Sequence, residues 1–318
     1  MTQELHQPVR VAIIGAGNVG ATFAYALMLS GLATEIVLVD INRSKTEGEV
    51  MDLNHGVPLA SPCRIIAGDY SDCAGAVVTV ITAGAAQKPG ETRLDLLQRN
   101  ISIFRQIIPE VVRYNPDGIL LIATNPVDIL TYAAQRIAGL PLQRVFGSGT
   151  ILDTARFRYL LSQHFDVDPR SVHAYIIGEH GDSEVPVWSL ANIAGMHLPV
   201  YCEENGLQCQ DSALETIFKQ TRDAAYEIIA RKGATYYAVA TGLLRIVEAI
   251  LRDQSTVLSV SSRMEDYYGI QDVCLSLPTV IDRGGIERVI RLQLSSDEIA
   301  GLQHSAKILK DTLDQLKF

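Results

Sequence analysis

Residues 9–20 read V-R-V-A-I-I-G-A-G-N-V-G, residues 21–32 carry a helical apolar pattern, and residues 35–40 read E-I-V-L-V-D. An apolar run that ends in Gly15, Gly17 and Gly20 at G-x-G-x-x-G spacing and opens a helix is a dinucleotide-binding fingerprint. Gly15 permits the tight turn, Gly17 lets the backbone approach a pyrophosphate, and Gly20 lets the helix pack close on the strand. The N–H groups freed at the helix start, aided by its dipole, then receive the phosphates. Asp40 closes the second strand twenty residues after Gly20. An acid there accepts hydrogen bonds from the ribose hydroxyls and repels a 2′-phosphate, so NAD is favoured over NADP. A glycine-rich turn with a solvated Asp is the bland alternative, and the full strand–turn–helix–strand–acid order argues against it.

The alternation continues outward from this unit. Apolar strand-like runs fall at 10–14, 36–40, 64–67, 77–82, 118–123 and 144–147, with helical patterns at 19–31, 44–55, 91–113 and 127–138. Continuous apolar strands separated by helices predict a doubly wound parallel sheet, a Rossmann domain over residues 1–148 with ligands at the carboxyl ends of its strands. After Gly149 the pattern changes. A helix at 150–164 precedes an extended run at 171–177 and short strands near 185–190; two helices (212–231 and 235–252) are parted by Lys232 and Gly233. Strand-like stretches near 256–261, 271–281 and 286–293 lead to a last helix at 296–316, opened by a capping pattern from Ser295 to Glu298. Residues 149–318 therefore read as an α+β catalytic domain.

The chain of 318 residues is 47% hydrophobic and 20% charged, an ordinary globular composition. Its net charge of −9, with no basic block, argues against nucleic acid as a partner and requires any anionic ligand to be caught by a local basic pocket. The five cysteines, at 63, 73, 202, 209 and 274, form no C-x-x-C pair and read as reduced, mostly buried thiols of a cytoplasmic protein. The start M-T-Q-E-L-H-Q-P has no apolar segment, and the longest nearly apolar stretch, 21–33, is too short to span a bilayer.

Redox chemistry on an alcohol or carbonyl needs a general acid/base near neutrality, and histidine supplies it. Of seven histidines, His180 alone sits in a glycine-flanked polar turn, Gly178-Glu179-His180-Gly181-Asp182-Ser183, straight after an apolar strand. Asp153 and Arg156, three apart on the 150–164 helix, share a face. Alone they read as a surface ion pair of little value. Alternatively they divide the work: Asp153 fixes the tautomer of His180, and Arg156 offers its planar fork to a substrate carboxylate. Residues 84–93, with glycines at 84 and 90 and Pro89 between them, form a segment able to hinge as a lid, and Arg93 at its end can swing in to polarise a carbonyl. Taken alone, that segment is a plain strand–helix loop.

Together the motifs resemble the lactate/malate dehydrogenase family, on its bacterial L-lactate side. They are G-A-G-N-V-G, A-G-A-x-Q-K-P-G-E-T-R, A-T-N-P-V-D-I-L-T, V-F-G-S-G-T-x-L-D-T-A-R-F-R, I-I-G-E-H-G-D-S and P-T-V-I-D-R-G-G-I-E-R, in that order along nearly the whole chain. The resemblance implies that His180 is the proton donor/acceptor with Asp153 its partner, that Arg156 binds the carboxylate, and that Arg93 polarises the carbonyl. It further implies that Asn125 touches nicotinamide and substrate, that Thr235 lines the substrate pocket, and that Val19, Asp40, Lys45, Tyr70 and Gly84 surround the dinucleotide. Val239 stands where many relatives carry isoleucine, a small change in volume.

The implied reaction is reduction of pyruvate to L-lactate. Malate dehydrogenase shares the catalytic residues; relatives of that specificity carry arginine where Gln87 stands, and a neutral Gln87 cannot offset the second carboxylate of oxaloacetate. A non-catalytic NAD-binding structural or sensor protein is the alternative from a different class. Arg158 lies two residues past Arg156, about 200° round the helix. It therefore serves another surface. In the bacterial enzymes resembled here, an arginine and a histidine at the positions of Arg158 and His173 bind fructose 1,6-bisphosphate between subunits of a tetramer. The resemblance thus implies a homotetramer activated by that effector, most strongly at acidic pH where histidine is charged.

Overall fold

The computed structural model describes residues 8–85, 90 and 92–316. In the first half, strands β1 (Arg10–Ile14), β2 (Glu35–Val39), β3 (Arg64–Ala67), β4 (Val78–Ile81), β5 (Ile119–Ile122) and β6 (Val145–Gly147) alternate with helices. These helices are α1 (Asn18–Ser30), α2 (Arg43–Gly56), α3 (Arg93–Tyr114) and α4 (Val127–Ala138). The second half begins with α5 (Ile151–Phe165) and short strands β7 (Val172–His173), β8 (Ile176–Ile177), β9 (Val185–Pro186), β10 (Asn192–Ile193) and β11 (Met196–His197). Helices α6 (Leu198–Glu204), α7 (Asp211–Lys232) and α8 (Tyr237–Leu251) follow, then β12 (Thr256–Arg263), β13 (Cys274–Asp282), β14 (Gly285–Val289) and α9 (Ser296–Asp314).

Six parallel strands run in the order β6-β5-β4-β1-β2-β3, the doubly wound arrangement expected. Side chains alternate across a strand, so each apolar run feeds two cores. Val11 and Ile13 of β1 pack with Phe23 and Leu27 of α1 and Leu243 and Ile246 of α8. Ala12 and Ile14 face the opposite side, with Leu97, Ile101 and Phe104 of α3 and Leu130 of α4. Polar residues within β1 would strand a buried group on one face or the other, which is why the strand reads as unbroken hydrophobicity.

The second half does not fold away from this sheet. The antiparallel meander β12–β13–β14 is laid onto the edge of β6 through pairing of Ser261 with Gly147, giving a sheet of nine strands. The run 171–177 is broken, with β7 pairing β10 and β8 pairing β9 in separate small sheets. Helix α9 opens as expected: Ser295 Oγ accepts from Glu298 N, and Glu298 Oε2 accepts from Ser295 N at 2.8 Å. The cysteine expectation is corrected. Cys202 and Cys209 form a disulfide, leaving Cys63, Cys73 and Cys274 as free thiols. Their separation of seven residues matches no C-x-x-C pattern, yet the turn joining α6 to α7 brings the two Cα atoms within 5.8 Å. Among the described residues, no helix is long and apolar enough to cross a membrane.

Candidate active site

The chain reverses its winding between β1 and β4, and the crevice beyond their carboxyl ends is where doubly wound sheets bind ligands. Gly15 follows β1 with φ +112°, and a Cβ there would sit 2.6 Å from Ala83 N. A Cβ on Gly20 would lie 1.9 Å from Gly15 O, whereas one on Gly17 would meet nothing within 4 Å. The first and third glycines are thus required by the protein itself, and the second opens onto free space. Helix α1 starts without a side-chain cap and without an acid in its first turn, so its orphan N–H groups remain available to an anion. Asp40 fastens this loop: Oδ2 accepts from Ala16 N at 2.7 Å and Oδ1 from Asn42 N at 2.9 Å.

The remaining candidate cofactor residues lie around this crevice. Val19 is half-buried on α1, Lys45 is exposed in the first turn of α2, and Tyr70 is half-buried beyond β3. Gly84 follows β4, where a Cβ would come within 2.4 Å of Thr124 Cγ2. A bare glycine at the mouth of an uncapped helix, with an acid closing the neighbouring strand, fits NAD.

The catalytic candidates converge on α5. Asp153 is 2% exposed, and Arg156 Nη1 donates to its Oδ1 at 2.9 Å. Its other oxygen, Oδ2, is hydrogen-bonded to His180 Nδ1. The i,i+3 pair is therefore neither superficial nor isolated: one buried carboxylate holds the arginine and the histidine together. Burial alone would lower the imidazole's pKa, but the Asp153 charge and hydrogen bond reverse that and hold it at about 9. Burial pushes the Asp153 carboxyl up, and His180 and Arg156 together bring it below its ordinary value. The pair thus rests as imidazolium and carboxylate at neutral pH.

The turn that carries His180 is fixed from three sides. Gly178, at φ +91°, exchanges backbone hydrogen bonds with Ser276 of β13. Glu179 N donates to Ser305 Oγ of α9 at 2.7 Å. His180 N donates to Asp128 Oδ2 at 2.8 Å, and Asp128 Oδ1 accepts from Ser261 Oγ at 2.6 Å. Asp128 is 2% exposed and ties α4, β12 and the catalytic turn to one another. Its importance was not read from the sequence; the available signal was an acid in an otherwise apolar helix, V-D-I-L-T.

One cavity of about 620 Å³ is lined by Arg93, Asn125, Asp153, Arg156 and His180, so five sequence candidates meet in one place. Arg93 is exposed at the start of α3, behind a Thr92–Asp95 capping box. Glu184, Arg222 and His304, which the sequence did not single out, share the lining. Thr235 is not among these lining residues; it is half-buried between α7 and α8. Gln87 lies outside the described residues. Arg158 points elsewhere, as its helical phase requires. Its Nε donates to Ala174 O at 2.9 Å and its guanidinium stacks over Tyr175, in a second cavity of about 450 Å³ that also holds Arg170 and Arg245. His173 is exposed on β7 and does not line that cavity.

Residues 9–147 match the family described as lactate/malate dehydrogenase, NAD binding domain, and residues 150–317 match lactate/malate dehydrogenase, alpha/beta C-terminal domain. The L-lactate dehydrogenase of Acetivibrio thermocellus is 56% identical over 308 residues, covering 96% of this chain and 97% of that protein. That of Priestia megaterium is 52% identical over 314 residues, covering 99% and 98%. The solved structure of the minor L-lactate dehydrogenase from Enterococcus mundtii, in its ligands-bound form, superimposes with a TM-score of 0.95 at 42% identity, over 98% of this chain and 99% of that one. The chain belongs to the lactate/malate dehydrogenase family and is an NAD-dependent oxidoreductase.

Proposed function

We propose that the protein is an L-lactate dehydrogenase that reversibly reduces pyruvate to L-lactate, with residues 1–148 holding NAD and residues 149–318 carrying most of the catalytic groups. The observation that carries this is His180 hydrogen-bonded to buried Asp153, in one cavity with Arg156 and Arg93. When bound, NAD supplies the hydride donor or acceptor at its nicotinamide ring. Asp153 engages Arg156 through Nη1 alone, leaving the other N–H groups of the fork for a substrate carboxylate. Protonated His180 donates to the carbonyl oxygen as it gains charge, and neutral His180 takes the proton back from lactate. Asn125 orients that oxygen, and Arg93 stabilises the charge it gains. Thr235 contributes to the substrate pocket.

Gln87 sets the preference for a small, uncharged substrate end. The similarity to L-lactate dehydrogenases, at 52% and 56% identity, supports this choice over malate. Oxidation of NADH followed with pyruvate and oxaloacetate in parallel tests it. Pyruvate is expected to be the better substrate by at least about 100-fold in kcat/KM, the scale of a few kcal/mol of unpaired charge. Equal use of both would return the malate specificity, and use of neither would leave an NAD-binding protein without this activity.

Regulation belongs to the same proposal. We take the protein as a cytoplasmic homotetramer that fructose 1,6-bisphosphate activates through Arg158 and His173. Support comes from the matching residues and from a cavity, separate from the catalytic one, that groups Arg158 with Arg170 and Arg245. Sedimentation and pyruvate saturation, each with and without the bisphosphate, test it. An unchanged assembly state and an unchanged KM would refute it.

A further inference from the structure

Glu184 precedes β9 and has no part in the scheme above. The residue is 6% exposed and lines the catalytic cavity, and its Oε1 is sealed from solvent without a hydrogen-bond partner. A buried carboxylate with an unpaired oxygen is costly, so the neutral acid is the form this environment prefers. Burial first, and then the Asp153 charge, push its pKa up to about 9 against the opposing pull of His180, Arg156 and Arg222.

The surrounding charges give that preference a consequence. On α5, Asp153 and Arg156 face the cavity, and His180 faces it from the same turn as Glu184. Arg222 on α7 is already paired with Asp223 at 3.1 Å. On the rim, Arg93 of α3, Glu179 and Asp182 of the turn, and His304 of α9 are all partly or fully exposed, so solvent screens them. With Glu184 neutral, the carboxylates of Asp153 and of Asp128, which accepts from His180 N, are balanced by charged His180 and Arg156, and the free N–H groups of Arg156 can receive a monoanionic 2-oxo acid. An ionised Glu184 turns the group net negative and opposes the incoming carboxylate.

We propose that Glu184 is a positioning residue for substrate charge: it must hold a proton for the substrate carboxylate to dock at Arg156. Anion binding is then linked to proton uptake at Glu184 as well as at His180. The inference rests on the L-lactate dehydrogenase reading proposed above, and its test separates the two.

Oxamate, an unreactive isostere of pyruvate, is titrated into the NADH-loaded enzyme from about pH 6 to about pH 10 and followed by NADH fluorescence. Near neutrality, wild type and Glu184→Gln are expected to bind oxamate within about threefold of each other, since both present a neutral side chain. At the alkaline end the wild-type association constant should fall with a slope approaching about 100-fold per pH unit, two protons, and that of Glu184→Gln by about tenfold per unit, one proton. Calorimetry on the wild type at about pH 10, in buffers of different ionisation enthalpy, counts the same protons without any variant: more than one per site is expected. Unchanged NADH affinity reports that Glu184→Gln is folded; should it fail to fold, the wild-type proton count alone decides. Parallel slopes, or uptake of no more than one proton, overturn the role of Glu184 while leaving the dehydrogenase function standing. Absence of oxamate binding to the wild type at neutral pH overturns both.

Discussion

Replacing Asp153 with asparagine separates two things that the carboxylate does for His180. The first is electrostatic. With Asp153 present the imidazole titrates at about 9 rather than 6.5, a stabilisation of the protonated form by about 3 kcal/mol. Without the charge, burial, the largest influence, lowers the pKa against only the smaller raising effects of Asp128 and Glu184, so His180 in Asp153→Asn should titrate near or below its ordinary 6.5. At pH 7 the protonated fraction then falls from nearly all to at most about a quarter, and at pH 8 to about 3%. The alkaline limb of kcat/KM for pyruvate should therefore move toward acid by at least about 2 pH units.

The second effect is orientation. The carboxylate accepts from Nδ1 and leaves the other ring nitrogen to face substrate; an amide can present its NH2 instead and select the wrong tautomer. That loss adds a pH-independent fall in turnover, about 10- to 100-fold, in both directions of the reaction. The assay is a pH series of pyruvate reduction and lactate oxidation on both proteins, with NADH affinity as the control for folding. If the alkaline limb of the variant stays within about half a pH unit of wild type, Asp153 does not set the His180 proton affinity and the electrostatic account is wrong. Stability follows the same titration. A raised histidine pKa contributes stability that is fully present below about 6.5 and is lost as pH rises through about 9. The thermal midpoint of wild type should decline across that window, and that of Asp153→Asn should decline less.

Five further substitutions test other parts of the site. His180→Asn should abolish turnover while NADH binding stays within about threefold, and Arg156→Lys should raise the KM for pyruvate by about 100-fold through loss of the planar fork; steady-state kinetics read both. Gly17→Ala and Gly20→Ala should behave differently, because a Cβ at Gly17 meets no protein atom and one at Gly20 collides with Gly15 O. The first should weaken NADH binding with an unchanged melting temperature, the second should lower the melting temperature, and the reverse outcome in thermal melts would contradict the assignment of those glycines. Gln87→Arg should shift preference strongly toward oxaloacetate with NADH affinity unchanged; a variant still confined to pyruvate would show that position 87 does not set specificity.

What the sequence made legible depended on whether the determining contacts were local. The first six strands could be read because each alternates between two cores, so every residue of a run such as V-A-I-I must be apolar. Gly15, Gly17 and Gly20 were legible for the same kind of reason, their constraints arising within one strand–helix turn and its neighbouring strand. The meander β12–β14 announces strands but not their destination, since it joins the main sheet at Ser261 and Gly147, far apart in the chain. The Cys202–Cys209 bond follows from a turn geometry that composition does not encode.

Within the site, His180, Asp153 and Arg156 stood out as a glycine-flanked turn and an i,i+3 pair. What makes them a unit is contact across 27 residues for Asp153 and His180, 52 for Asp128 and His180, and 126 for Ser305 and Glu179. A carboxylate's burial is decided by such distant partners. Asp128 and Glu184 therefore resembled ordinary solvated acids in the sequence, although folding removes both from water. Asp128 regains two hydrogen bonds in exchange and becomes structural. Glu184 Oε1 regains none, and this difference, invisible before folding, is why one acid anchors the catalytic turn while the other is left to respond to protons and to the charge of the substrate.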